Sequence, residues 1–149
     1  FKTLIMMRYS LVFSSAIILF LGFTACKKSD KTNNSRTAAN MAGTYGLVAV
    51  TASEGGATFN IYDSLPACEK DNLIQLNANG SAQFIDAGTA CNPPQDSTGA
   101  WHLSANTDSM YLGNEAAYIK SFDGKTLVLS NQQMISGLDV VTTSTLAKQ

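Results

Sequence analysis

From about residue 41 onward the chain is a series of short segments in which apolar and polar positions alternate. Glycine, proline or asparagine closes each one, and no stretch holds a convincing helical period. Alternation with period two sends successive side chains to opposite faces of a strand, so the pattern predicts antiparallel sheet with one face on a core and one in water. The most explicit segment is 68–91 (CEKDNLIQLNANGSAQFIDAGTAC), a β-hairpin with a cysteine at each end. A two-residue Asn79-Gly80 turn would pair Ile74 with Ile85 and leave Phe84 beside Gln75 on the other face. A three-residue Ala78-Asn79-Gly80 loop with Gly80 left-handed in a bulge instead pairs Leu76 with Ala82, Ile74 with Phe84 and Gln75 with Gln83. Only the second register gathers Ile74, Leu76, Ala82 and Phe84 on one apolar face, and it is the one expected.

Segments 43–53, 57–63, 99–104, 108–112, 116–122, 126–130 and 139–147 bring the expected total to about nine strands. Polar loops are expected at 92–98, where two prolines end the strand, and at 131–138. Tight turns such as Asp123-Gly124 join consecutive strands into an up-and-down meander. A one-faced meander this long is expected to curl and close, because an open sheet would leave two unpaired edges. The expected class is therefore all-β, a small antiparallel barrel over residues 41–149.

The first forty residues have a different character. Residues 11–23 (LVFSSAIILFLGF) form an apolar run preceded by Arg8 and Lys2, the order of a secretory signal. As a helix such a run would span roughly 20 Å against a hydrocarbon core of about 30 Å, which suits a signal peptide better than a membrane-spanning anchor. It ends in Leu21-Gly22-Phe23-Thr24-Ala25-Cys26, which resembles the lipobox of bacterial lipoproteins, with Phe23 where leucine is usual. That resemblance implies cleavage before Cys26 and acylation there, giving a signal peptide over 1–25, a lipid anchor in the membrane and an envelope location, most naturally the outer membrane. A plain secreted protein is the alternative, and it would leave Cys26 as an odd thiol in an oxidising compartment. Residues 26–40 are polar and without period, as expected of a flexible tether.

Charge separates the parts further. Lys27, Lys28, Lys31 and Arg36 against Asp30 give the tether a net +3, whereas residues 41–149 carry four lysines against ten acidic residues, a net −6. An acidic domain is a poor match for phosphate backbones, so nucleic acid is not an expected partner.

Candidate chemistry is sparse. His102 is the only histidine and is expected on the solvent face between inward Trp101 and Leu103, without the converging groups that catalysis or metal binding requires. Cys68 and Cys91 lack Cys-x-x-Cys spacing and in an exported protein are read as a structural disulfide. Asp63, Glu69, Asp71 and Asp86 lack the dense alternation of a calcium loop and read as a solvated rim. Neither an enzyme nor a metal or other cofactor is expected. The aromatic set Tyr45, Phe59, Phe84, Trp101, Tyr111 and Phe122 either fills a core or lines a cavity.

Several pieces together resemble the small lipocalin-like domains carried by lipoproteins of Gram-negative bacteria. Ala42-Gly43-Thr44-Tyr45 is similar to that family's opening Gly-x-Trp, with Tyr45 in the aromatic position. Cys68-Glu69-Lys70-Asp71-Asn72 resembles its Cys-Glu-Lys-Asp-Asp segment; Gly80, Cys91 and Gly99-Ala100-Trp101 follow in the same order. The resemblance covers roughly residues 41–129 and implies a lipocalin-like barrel, with no uniform activity attached. Tyr45, Ile74, Leu76, Phe84, Trp101 and Leu103 are the expected lining of any cavity for a small apolar ligand, with Trp101 emission as its reporter. The competing reading is a packed barrel, an adaptor that shows its 92–98 and 131–138 loops to a protein partner. Interior volume separates the two, with about 300 Å³ a fair threshold for a ligand site.

Overall fold

The computed structural model describes residues 35–149; the apolar leader, Cys26 and most of the tether lie outside the described residues. A single helical turn, α1 (Ala38–Met41), precedes β1 (Gly43–Glu54) and β2 (Ala57–Asn60). A 3-10 turn (Tyr62–Ser64) and a second single turn, α2 (Ala67–Lys70), lead into β3 (Leu73–Leu76), β4 (Ser81–Ile85) and β5 (Ser97–Leu103). The remainder is β6 (Ser109–Leu112), β7 (Glu115–Phe122), β8 (Thr126–Ile135) and β9 (Leu138–Lys148). The sheet runs β2-β1-β3-β4-β5-β6-β7-β8-β9 and closes through β1 against β9. Eight strands therefore form an antiparallel barrel, and β2 is a flap on the far half of β1.

The β3–β4 hairpin has the bulged-loop register: Ile74 faces Phe84, Gln75 faces Gln83 and Leu76 faces Ala82. Gly80 makes this possible with a φ of 87°, a left-handed value that a Cβ disfavours. Its carbonyl then accepts the Trp101 amide at 2.7 Å, tying the turn to β5.

Two bulges decide which side chains reach the interior. Tyr45 and Leu47 point inward at odd positions, the ladder to β9 slips between Leu47 and Ala49, and Val50 points inward at an even one. Val48 is the extra residue and is left 47 % exposed. Along β7 the same slip between Ile119 and Ser121 lets Ile119 and Phe122 both be buried.

The barrel has two unlike ends. One is filled: Met41, Tyr45, Leu76, Trp101, Met110, Ile119 and Leu127 are all essentially inaccessible. α1 belongs to this end. Thr37 caps it through the Asn40 amide, Met41 enters the core, and Ala38 packs against it. Residues 36–40, the last part of the expected tether, are thus held on the barrel. Arg36 donates to the Thr107 carbonyl and pairs with Asp108 at 3.7 Å. Lys148 donates to the Asn40 carbonyl at 3.0 Å, and its stem crosses where a Cβ on Gly43 would sit. Residues 35–149 thereby hold a closed sheet, one core and a disulfide, the requirements of a domain that folds by itself.

Tyr45 donates its hydroxyl to the Met41 carbonyl at 2.7 Å, and burial pushes its pKa up to about 12. The folded state therefore holds the neutral phenol, while the unfolded chain ionises near the ordinary value of 10.0. Below that value this group adds no pH dependence; as pH rises toward about 12 the unfolded state loses its proton first, and stability falls by about 3 kcal/mol in all. Thermal melts from pH 8 upward should show this loss, and Tyr45→Phe should remove it.

Three sequence expectations give way here. Segment 57–63 is a strand only as far as Asn60, where Asn60 Oδ1 accepts the Tyr62 amide and turns the chain into the 3-10 segment. The expected 131–138 loop is instead the tip of a long β8–β9 hairpin, paired from Thr126 with Ala147 out to Ile135 with Leu138 around Ser136-Gly137. Phe59 and Tyr111 are neither core nor cavity. Phe59 lies on the flap at 56 % exposure, and Tyr111 stacks on the exposed His102 ring at 4.6 Å on the outer face.

Candidate functional site

The end opposite α1 is open and contains two adjoining cavities, of about 300 Å³ and about 210 Å³. Both are lined by Leu47, Ile74 and Leu146, side chains contributed by β1, β3 and β9 where those strands leave the packed core. The larger adds Phe84, Leu73 and Ile85 from the hairpin, and a polar wall of Glu69, Asn72, Gln95 and Ser97. The smaller continues between β6 to β9 along Leu112, Ala117 and Leu129 toward Asn131 and Thr142. The combination of an apolar interior with a few polar groups at one wall is that of a small-molecule site.

The polar wall exists because α2 and the loop after β4 are stapled together. Cys68 in α2 is bonded to Cys91, with their Cα atoms 5.2 Å apart. The Asp86 carboxylate accepts the amides of Cys91 and Gln95, and Asp71 accepts the amide of Thr89 at 2.7 Å. Asp71 and Asp86 therefore serve as anchors for loop backbone, where a solvated rim was expected. Across the junction Asn72 Nδ2 donates to Gln95 Oε1 at 3.0 Å. Asn72 Oδ1 and Asp71 Oδ1 remain buried without a hydrogen-bond partner.

Of the six residues expected to line a cavity, Ile74 and Phe84 do so. Tyr45, Leu76 and Trp101 point inward but belong to the filled end, and Leu103 packs against that core. Trp101 is 2 % exposed and donates its indole N–H to the Asn77 carbonyl at 2.8 Å, so it is a structural plug instead of a reporter on the cavity. Glu69, Asn72 and Gln95 were not among the expected site residues. The signal available for them was position, since Glu69 follows Cys68 directly and Gln95 lies four residues after Cys91. Among the described residues no group of three or more His, Cys, Asp or Glu side chains is placed to hold a metal ion.

Beyond the barrel mouth, β8 and β9 continue as a hairpin against β1 and the flap. Phe59, Ile135 and Leu138 lie on the continuation of the inner face, as the register from Ala52 through Thr142 and Asn131 shows. All three are at least half exposed, and so is Met134 on the other face.

An eight-stranded meander barrel, packed at one end and hollow at the other, defines a lipocalin-like container. The chain belongs to the lipocalin-like domain family, whose profile matches residues 41–129. Among curated proteins the chain is similar to the GPI-anchored hemophore PGA10 of Candida albicans, with 38 % identity over 90 residues. That stretch covers 60 % of this chain but 32 % of the fungal protein, so the chain spans about a third of that relative's length. No solved structure matches the chain.

Proposed function

We propose that this protein is an envelope lipoprotein whose lipocalin-like barrel holds a small hydrophobic ligand in the cavity at its open end. The observation that carries the reading is the cavity itself: about 300 Å³ of apolar space reached from outside, at the end opposite a filled core. The lipid-anchor part rests on Thr24-Ala25-Cys26 after the short apolar run, and the Cys68–Cys91 bond agrees with an oxidising, extracytoplasmic compartment. The domains proposed are a signal peptide over 1–25, a tether from the acylated Cys26 and the barrel over 41–149. The described part of the tether, residues 36–40, meets the barrel at its packed end, opposite the cavity.

The name of the fungal relative raises haem as a ligand. No histidine, cysteine, methionine or tyrosine lines either cavity among the described residues, so axial ligation has no donor there. A metal-free apolar ligand fits the lining better.

The adaptor reading has one observation of its own, the exposed Phe59, Ile135 and Leu138 on one face of the hairpin and flap with Met134 on the other, apolar side chains at which a protein partner would dock. Native mass spectrometry of the protein purified from its own envelope distinguishes the two. A co-purified small molecule lost from an Ile74→Trp protein, whose cavity the indole fills, is the outcome expected. A stoichiometric protein partner lost from a Met134→Lys, Leu138→Lys protein, with no small molecule, would favour the adaptor. The anchor is tested separately: labelling cells with a radioactive fatty acid should mark the protein, and Cys26→Ser should abolish the label.

A further inference from the structure

We infer that the cavity selects amphiphiles with a cationic head, an alkylammonium above all, and discriminates against carboxylates. The inference rests on the ligand-binding reading and specifies the chemistry of the ligand's head.

The polar wall of the larger cavity carries one charged group, the Glu69 carboxylate, beside the neutral side chains of Asn72, Gln95 and Ser97. One amide N–H of Asn72 is engaged with Gln95 Oε1. No lysine, arginine or histidine lines either cavity among the described residues. The nearest cation in sequence, Lys70, is committed elsewhere: its Nζ donates to the Asp63 carbonyl at 2.9 Å and lies 5.5 Å from the Tyr62 ring centroid. The ion pair found among the described residues, Arg36 with Asp108, is at the packed end.

A fatty carboxylate seated with its tail among Ile74, Phe84 and Leu146 would bring its charge to this wall. It would lose solvation there and meet Glu69 with no cation to offset the repulsion. The net −6 of residues 41–149 opposes it from a distance as well. An ammonium in the same place has three donors. It can pair with Glu69 in a charge-assisted hydrogen bond. A neutral alcohol supplies one donor and ranks between the two.

The test is calorimetric titration of residues 35–149 with octylamine, 1-octanol and octanoate, which share a tail and differ only at the head. Octylamine should bind about tenfold more tightly than octanoate, with octanol between them. Glu69→Gln should bring octylamine down to near octanol while leaving octanol unchanged. Glu115→Gln removes the same charge from the exposed β7, outside both cavity linings, and should keep the ranking, which separates a local contact from the general field of an acidic domain. Equal affinities, or octanoate the tightest, would overturn the head-group inference and leave the cavity reading standing. Failure of all three to bind would remove the reading on which it rests.

Discussion

Trp101→Ala should be the most damaging single substitution in the domain, at about 3–5 kcal/mol. The indole is 2 % exposed in the filled end, grouped with Met41, Tyr45, Leu76 and Met110. Truncation would leave a void that β5 cannot close, because its backbone is paired to β4 and β6 on both sides. It would also remove the 2.8 Å bond from the indole to Asn77, which helps fix the hairpin loop. Against a typical domain stability of about 5–15 kcal/mol this is a large share, and the melting temperature should fall by roughly 15 °C or more. Urea denaturation of the two proteins checks it. A loss below about 1 kcal/mol would mean that the packed end is not packed.

Removing the disulfide should be next in size and should act in two places. Cys68 and Cys91 are 23 residues apart, and closing a loop of that length is worth about 3 kcal/mol in the chain-entropy model. A Cys68→Ala, Cys91→Ala protein should therefore melt roughly 10 °C or more lower while keeping its β signature. The cross-link lies outside the barrel ladders, joining α2 to the loop after β4, so the sheet itself does not depend on it. The polar wall does: Glu69 and Asn72 stand on one side of the bond and Gln95 on the other. Ligand affinity should thus fall more than core stability would predict, and titration well below the melting temperature separates the effects. Free thiols at both positions in normally exported protein would refute the pairing.

Much of this was legible in the chain. The hairpin register followed from face sorting, since only one pairing puts Phe84 with Ile74, and that is the pairing formed. His102 was expected outward and is exposed. Period-two alternation reports which face a side chain takes, but not how far along the barrel axis it sits. Tyr45, Leu76 and Trp101 were therefore correctly inward and wrongly assigned to the cavity, which begins beyond them at Leu47, Ile74 and Phe84. Alternation also fails wherever the ladder slips, and the bulges at Val48 and Lys120 switch the inward parity without any glycine or proline to mark them. The 131–138 segment reads as loop because Asn131, Gln132 and Gln133 are poor strand formers. The pairing with β9 overrides that local preference. The polar wall was least visible, because it depends on a disulfide bringing together residues more than twenty positions apart.

The central claim is a cavity at one end and a filled core at the other, and methyl and amide NMR of residues 35–149 during titration with 1-octanol tests it most directly. Saturable shifts at Leu47, Ile74, Phe84 and Leu146, with Met110, Ile119 and Leu127 unmoved, are the result expected. Shifts confined to Met134, Ile135 and Leu138 at the hairpin tip, or no saturable shift anywhere in a folded domain, would contradict it.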